Sequence, residues 1–280
     1  MTCIGPGTFT MGSPDGSGAE PEEVGRASWE TIHEVTLKGG FYIGVYEVTQ
    51  LEFENLMGYQ PSDHTGCDDC PAVNLDWHEA AAFANAVSDS AGLAECYTCS
   101  GFGEWVICSL DSVFAIPYDC EGYRLPTEAE WEVAARAGTT SAFSNTGNLL
   151  SGDSDGDGRD DTSDCSGRLP LDDGSTVDDI AVYCGNDSGL TEEVGTKDDN
   201  PWGLYDMHGN VWEWCYDWWD GISDYFGDST DPWGSATGPD RALRGGSWLN
   251  YPRNLRSAQR YGIDPYTDYD TVGFRLARSE

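Results

Sequence analysis

The chain is 280 residues long with 39% hydrophobic residues, enough to bury a large core as one domain or two modest ones. It carries 50 Asp and Glu against 14 Lys and Arg, a formal net charge of −36. Such a surface repels phosphate backbones and anionic lipid, which excludes nucleic acid and charged membrane surfaces as partners. It must either repel itself or gather cations, and calcium or a salty environment would relieve that repulsion. The 35 Gly, 11 Trp and 14 Tyr suit a loop-rich globular protein. No apolar run approaches the roughly 18 residues of a membrane span, so no membrane insertion is expected.

Met1-Thr-Cys-Ile-Gly-Pro-Gly7 lacks the basic-then-apolar pattern of a secretory signal. The chain is therefore either cytosolic or a mature or trimmed product, and its cysteines favour the second. All ten lie within the first 215 residues, with Cys67-Asp-Asp-Cys70 and Cys96-Tyr-Thr-Cys99 as close pairs and Cys108 and Cys120 soon after. An even count clustered in loops reads as disulfides formed outside the cytosol, in an extracellular, periplasmic or cell-surface setting. Two C-x-x-C pairs could also build a tetrahedral zinc site. Against that, what reads as a full helix separates the pairs, and other cysteines crowd the second.

In chain order, residues 8–12 read as a short strand and the Gly/Glu/Pro-rich piece 13–28 as an exposed loop. His33–Leu37 and Gly40–Val45 alternate apolar and polar residues, which predicts two strands joined through Gly39-Gly40. Thr49 with Glu52 forms a capping box for a short helix to about Met57. Asp76 with Glu79 repeats the device, and Trp77, Ala80, Ala81, Phe83, Ala84 and Val87 continue at helical spacing until Gly92. His78, just after that cap, is expected at the surface. The cysteine-rich stretch 93–120 shows no period and reads as a disulfide-pinned excursion. Thr127 caps a third helix, Glu130 closes its box, Trp131 and Ala134 face inward, and Gly138 ends it.

After Gly152 the composition turns acidic. Asp153, Asp155, Asp157, Arg159, Asp161 and Asp164 fall at the first, third, fifth, seventh, ninth and twelfth positions of a calcium loop, with Gly158 at the sharp turn. Alternating short carboxylates converge on one hard cation in such loops. The twelfth residue is Asp rather than Glu and no flanking helices are evident, so an EF-hand proper is not expected; a solvated acidic loop is the alternative. From 180 onward the chain reads as short strands and loops.

One stretch gathers the largest side chains. Gly203 to Trp219 contains Trp212, Trp214, Trp218, Trp219, Tyr205 and Tyr216, with Asp206, Gly209, Asn210 and Glu213 among them. Large aromatics mark the centre of a core, and a carboxylate among indoles needs a partner. A bound cation would satisfy Asp206 and Glu213 together; the alternative is a core strand whose carboxylates face solvent.

Phe9-Thr-Met-Gly12, Tyr46-Glu-Val-Thr49, Tyr123-Arg-Leu-Pro-Thr-Glu-Ala-Glu-Trp-Glu132, Gly203-Leu-Tyr-Asp-Met207, Gly209-Asn-Val-Trp-Glu-Trp214, Leu243-Arg-Gly-Gly-Ser-Trp248 and Gly273-Phe-Arg275 occur in this order. Together they resemble the formylglycine-generating enzyme family, also called the sulfatase-modifying factor domain, over nearly the whole chain. The resemblance implies an α+β fold low in regular secondary structure, the family's variant of the C-type lectin fold. It implies a single domain over 1–280, with the cysteine-rich piece 93–120 and the acidic piece 151–179 as insertions. It also implies calcium held by Asp206, Gly209, Val211 and Glu213, with Asn186 matching part of a second site.

Its chemistry does not carry over. The family oxidises a substrate cysteine with copper held by two cysteines shortly after Gly-Gly-Ser. Here Asn250 and Leu255 stand at or near those places, and no cysteine follows Cys215. Soft Cu(I) prefers thiolate, which amide and alkyl groups do not replace, so copper is not expected. The four histidines lack a metal-binding spacing, and His208 reads as structural.

What remains is a binding surface. Residues 249–272 mix Tyr251, Tyr261, Tyr266 and Tyr269 with Asn, Asp, Thr and Arg, a composition used where rigid aromatics anchor and small polar groups adapt. With Trp212, Ser247, Trp248, Asn250 and Arg256 these tyrosines are the candidate ligand-binding residues, for an unidentified protein, peptide or glycan. Some proteins of this fold are targets of diversity-generating retroelements, which randomise this segment just before a Gly-Phe-Arg ending. Leu249, Tyr251, Gly262, Ile263, Tyr266, Thr267, Asp268, Tyr269, Asp270 and Thr271 are each reachable from an Asn codon by changing its adenines, as most residue types are. An ordinary loop over the old cleft is the alternative. Three classes of function follow: a calcium-stabilised, secreted, non-catalytic binding or scaffold protein; a retroelement-diversified ligand-binding protein; or an oxidoreductase of this family with altered metal chemistry.

Overall fold

The structure is a computed structural model that describes residues 1–153, 159–165, 169–220 and 230–280. Its strands are β1 (Thr2–Ile4), β2 (Gly7–Met11), β3 (His33–Leu37), β4 (Phe41–Ile43), β5 (Tyr97–Ser100), β6 (Ile107–Leu110), β7 (Tyr123–Arg124), β8 (Trp212–Trp219), β9 (Asp240–Arg244), β10 (Tyr261–Ile263), β11 (Val272–Gly273) and β12 (Ala277–Ser279). The helices are α1 (Gln50–Met57), α2 (Trp77–Ser90), α3 (Glu128–Arg136) and the single turn α4 (Val177–Ile180).

Two four-stranded sheets organise these elements, in the orders β1-β4-β12-β7 and β10-β9-β8-β11. The first joins the two ends of the chain, because β12 pairs antiparallel with β4 and β7. The second is built around β8, which pairs antiparallel with β9 and parallel with β11. The two strands expected around Gly39-Gly40 both form, but β3 pairs with β2 and β4 with β1, so they belong to different sheets.

Local chemistry sets the helices as expected. Thr49, Asp76 and Thr127 each cap a helix with a complete capping box. The third helix ends at Arg136, two residues before Gly138, and its cap Ala137 is itself in the left-handed region. Trp77, Trp131 and Trp214 are fully buried and tie helices to the β8 sheet: Trp77 Nε1 donates to the Cys215 carbonyl at 2.9 Å, and Trp214 Nε1 to that of Leu75 at 3.2 Å. Burying an indole with its N–H satisfied gains apolar area without losing a hydrogen bond.

The cysteine-rich stretch is more ordered than its lack of period suggests. β5 and β6 form an antiparallel hairpin in which Cys99 faces Cys108 and is bonded to it; Cys96 joins Cys120. Cys67 pairs with Cys70, and Cys165 with Cys184. The second C-x-x-C is therefore split between two bridges, which removes the tetrahedral zinc reading. Cys3 is exposed and Cys215 buried, both unpaired and in different sheets. His78 is corrected from surface to core: the insertion covers it, and the Cys108 amide donates to its Nδ1 at 3.1 Å.

The interior holds a set of paired charges. Arg124 meets Glu130, Arg136 meets Glu132, Arg244 meets Glu128 and Glu132, Arg256 meets Glu23 and Glu30, and Arg260 meets Glu128. All of these side chains are nearly inaccessible. With these five arginines spent inside, the protein has fewer cations left to soften an acidic surface. Among the described residues no helix is long and apolar enough to cross a membrane.

Candidate binding face and cation sites

The loop feeding β8 is bent by left-handed residues, with Asp206 at φ 59°, Gly209 at 93° and Asn210 at 61°. A Cβ at Gly209 would collide with the Val182 carbonyl, so only glycine fits there. This bend brings Asp206 and Asn210 beside the buried Glu47. Asn210 Nδ2 donates to Glu47 Oε2 at 2.8 Å and the Val211 amide to Glu47 Oε1 at 3.3 Å. Asp206 Oδ2 accepts the Gly195 amide at 2.7 Å, while its buried Oδ1 has no hydrogen-bond partner.

Glu213 is paired inside the protein. Arg275 donates from Nε to its Oε2 at 2.6 Å and from Nη2 to its Oε1 at 2.8 Å, and Trp131 Nε1 adds a bond to Oε2 at 2.8 Å. Arg275 thus supplies a counter-charge to Glu213, and a calcium ion at the expected place would share a carboxylate whose two oxygens are already bonded. Solvent-facing carboxylates are wrong for this strand, since Glu213 and Asp217 are fully buried.

Three buried carboxylates, Glu47, Asp206 and Glu213, thus share the field of one arginine. Burial, then Asp206 and Glu213, pushes the Glu47 pKa well above the usual carboxylate range; burial likewise lifts Asp206 to about 6. An orphaned oxygen in a locality short of positive charge fits a divalent cation. Among the described residues no three His, Cys, Asp or Glu side chains form a metal-holding group, so backbone carbonyls such as those of Gly209 and Val211 would have to complete it. Asn186 serves its own turn instead: its Oδ1 accepts the Tyr183 amide at 3.0 Å and its Nδ2 donates to Ala181 at 2.9 Å.

In the acidic loop, Asp155 and Asp157 lie outside the described residues. Asp161 and Asp164 are buried, Asp153 is exposed, and Arg159 Nη1 lies 3.4 Å from Asp164 Oδ1. The Cys165–Cys184 bridge pins the end of this loop next to the Ala181–Tyr183 segment.

The candidate ligand-binding residues separate by burial. Tyr251, Tyr261, Tyr266 and Tyr269 are 42%, 50%, 63% and 50% exposed, with Leu249 at 60% beside them. Trp212 and Trp248 are buried beneath this segment, whereas Ser247 is buried with its hydroxyl spent on Asn250 and offers no surface to a ligand. The Trp212 ring centroid lies 5.8 Å from that of Tyr261, and Trp248 Nε1 donates to the Asp270 carbonyl at 3.4 Å. His78 carries Tyr266, their rings 4.7 Å apart. Asn250 is half-buried and its Oδ1 accepts from the Ser247 hydroxyl at 2.7 Å, closing a turn at the place where the resemblance puts a catalytic cysteine. Leu255, near the second such place, is fully buried. Arg256 is corrected from ligand contact to structural anchor: it is inaccessible and bonded to Glu23, Glu30, Gly25 and Gln259.

Two central residues went unremarked as site residues in the sequence: Glu47, inside Tyr46-Glu-Val-Thr49, and Arg275, at the end of Gly273-Phe-Arg275. The sequence signal for both was their place in the quoted motifs. Only the fold brings them to the β8 loop.

Several known proteins resemble this chain. The formylglycine-generating enzyme of Streptomyces coelicolor is 33% identical over 222 residues, 77% of this chain and 55% of that protein. That of Thermomonospora curvata is 38% identical over 164 residues, 56% of this chain and 49% of that protein. The serine/threonine-protein kinase pkn1 of Chlamydia caviae is 34% identical over 186 residues, 65% of this chain but 23% of the kinase. The match thus spans from about a quarter to about half of the length of these relatives. Among solved structures, Treponema denticola variable protein 1 superposes with a TM-score of 0.77 at 29% identity, covering 100% of this chain and 95% of that one. PvdO from Pseudomonas aeruginosa gives 0.68 at 26%, covering 99% and 93%. The fold is the formylglycine-generating-enzyme-like form of the C-type lectin fold. With the model of the sulfatase-modifying factor enzyme 1-like domain matching residues 1–280, the chain belongs to that family.

Proposed function

We propose that this chain is a ligand-binding protein whose recognition face is the accessible part of residues 249–271, and that it does not make formylglycine. One observation carries the reading. All ten positions from Leu249 to Thr271 singled out as reachable from an Asn codon are exposed or half-buried. The run 255–260 between them is buried throughout. Exposed tyrosines over a floor of Trp212 and Trp248 offer anchors of low conformational entropy to a protein, peptide or glycan. The test is binding of the native chain and of a variant with Tyr251, Tyr261, Tyr266 and Tyr269 all changed to Ala, on a glycan array and a peptide array. Signals that survive the four substitutions would exclude this face.

A second, finer reading is that the segment is diversified by a retroelement. It is supported by the accessibility of the ten positions and by the likeness to a Treponema denticola protein named as variable. A neighbouring reverse transcriptase gene, with a template repeat rich in Asn codons, is the expected genomic finding; its absence would remove this reading and leave the first intact.

Calcium belongs to the same proposal. The unpartnered Asp206 Oδ1, with Glu47 beside it, would take a hard cation completed by backbone oxygens; the ion would neutralise the cluster and stiffen the loop under β8. The four disulfides support an oxidising compartment, extracellular or periplasmic.

A further inference from the structure

The β5–β6 hairpin ends in Gly101-Phe-Gly-Glu-Trp105, and its two aromatics face water: Phe102 is 85% exposed and Trp105 81%. No other large apolar side chain among the described residues is as open. The turn that displays them is tightly built. Gly101 sits at φ 89° where a Cβ would collide with the Trp105 carbonyl, Gly103 is also left-handed, and the Trp105 amide bonds the Phe102 carbonyl at 3.3 Å. Below the turn, Cys99–Cys108 clamps the two strands and Cys96–Cys120 ties the hairpin to the body. Ile107, half-exposed, extends the apolar tip along the outer face.

Rigid, displayed Phe and Trp side chains are what interface anchors require: large apolar area, and little rotamer or backbone freedom to lose on docking. The charge around them says what they dock against. Residues 91–123 carry Glu95, Glu104, Asp111, Asp119 and Glu121 with no Lys or Arg. A second copy of the chain brings its own −36 charge, and an anionic bilayer is repelled in the same way.

We infer that the hairpin tip is a docking anchor for a different, basic protein, seating Phe102 and Trp105 in an apolar slot rimmed by Lys and Arg. The tip and the 249–271 face are separate sets of residues, and neither needs the other to be correct.

The test selects a displayed library of random peptides on the immobilised native chain. It then compares binding to that chain, to Phe102→Ser/Trp105→Ser, and to Glu95→Gln/Glu104→Gln. Because the changed side chains are exposed, both variants should melt as the native chain does. The expected result is peptides combining Lys or Arg with a large apolar residue, bound at least about tenfold more weakly by the aromatic variant. The charge variant should weaken them less and reduce their salt dependence. The inference is overturned if no peptides are selected, if those selected lack basic residues, or if both aromatic forms bind equally. It is also overturned if the aromatic change instead abolishes self-association in sedimentation or adsorption to phosphatidylcholine vesicles, which would assign the tip to a second copy or to a neutral membrane.

Discussion

Asp217 allows a sharp test of the buried charge arrangement. Its Oδ2 accepts the Glu128 amide at 2.8 Å, at the head of α3, while its Oδ1 is buried with no partner. Burial, then the neighbouring Glu128 carboxylate, raises its pKa to about 8 from an unfolded value of 3.8. Between those values the folded state binds a proton that the unfolded state has released. Stability from this group is therefore full below about pH 4 and is lost as pH rises towards 8, at about 1.4 kcal/mol per pH unit. Asp217→Asn keeps an acceptor for the Glu128 amide and has no proton to lose. In urea titrations of both proteins the variant should gain on the native chain by about 3 kcal/mol between pH 5 and pH 7. Parallel curves across that range would refute the claim that Asp217 is folded as a neutral acid.

Other outcomes follow from the same structure. Arg256→Met should destabilise by about 3–5 kcal/mol in chemical unfolding, because Glu23 and Glu30 would stay buried without their cation; a loss below about 1 kcal/mol would return Arg256 to the ligand face. Burial alone would raise Glu132, but Arg136 and Arg244 lower it to about 2, so its stabilising effect is complete above about pH 4.5 and lost as pH falls towards 2. Glu132→Gln should accordingly be damaging at pH 6 and nearly silent near pH 2, measured by the same titrations. Calcium at 100 times its dissociation constant should add about 2.7 kcal/mol to stability and raise the melting temperature, with Glu47→Gln blunting the rise; an unchanged melting temperature in chelator would exclude a structural ion. Incubated with copper, oxygen and a cysteine-containing sulfatase peptide, the chain should form no aldehyde, and aldehyde formation would restore the oxidoreductase reading.

Local rules made part of this fold legible. Thr49, Asp76 and Thr127 announce their helices because a cap and its partner lie three residues apart. The motif run from Phe9 to Arg275 carries the family for the same reason: it can be read along the chain. What the flanking sequence hides is distant pairing. Glu213 finds Arg275 across 62 residues, and Arg256 finds Glu23 across 233, so neither counter-charge is visible from the flanking sequence. His78 looked exposed because its cover, Cys108 with Tyr266, comes from two other segments. Disulfide pairing is hidden in the same way, since ten cysteines at loop spacing admit many connectivities. The tyrosines were legible because exposure needs no partner.

The central claim, that the accessible residues of 249–271 meet the ligand, is tested most directly by hydroxyl-radical footprinting with a glycan or peptide taken from the arrays. The account predicts protection at Tyr251, Tyr261, Tyr266 and Tyr269 when that ligand is bound. Protection elsewhere, with all four tyrosines as reactive as in the free protein, would contradict it.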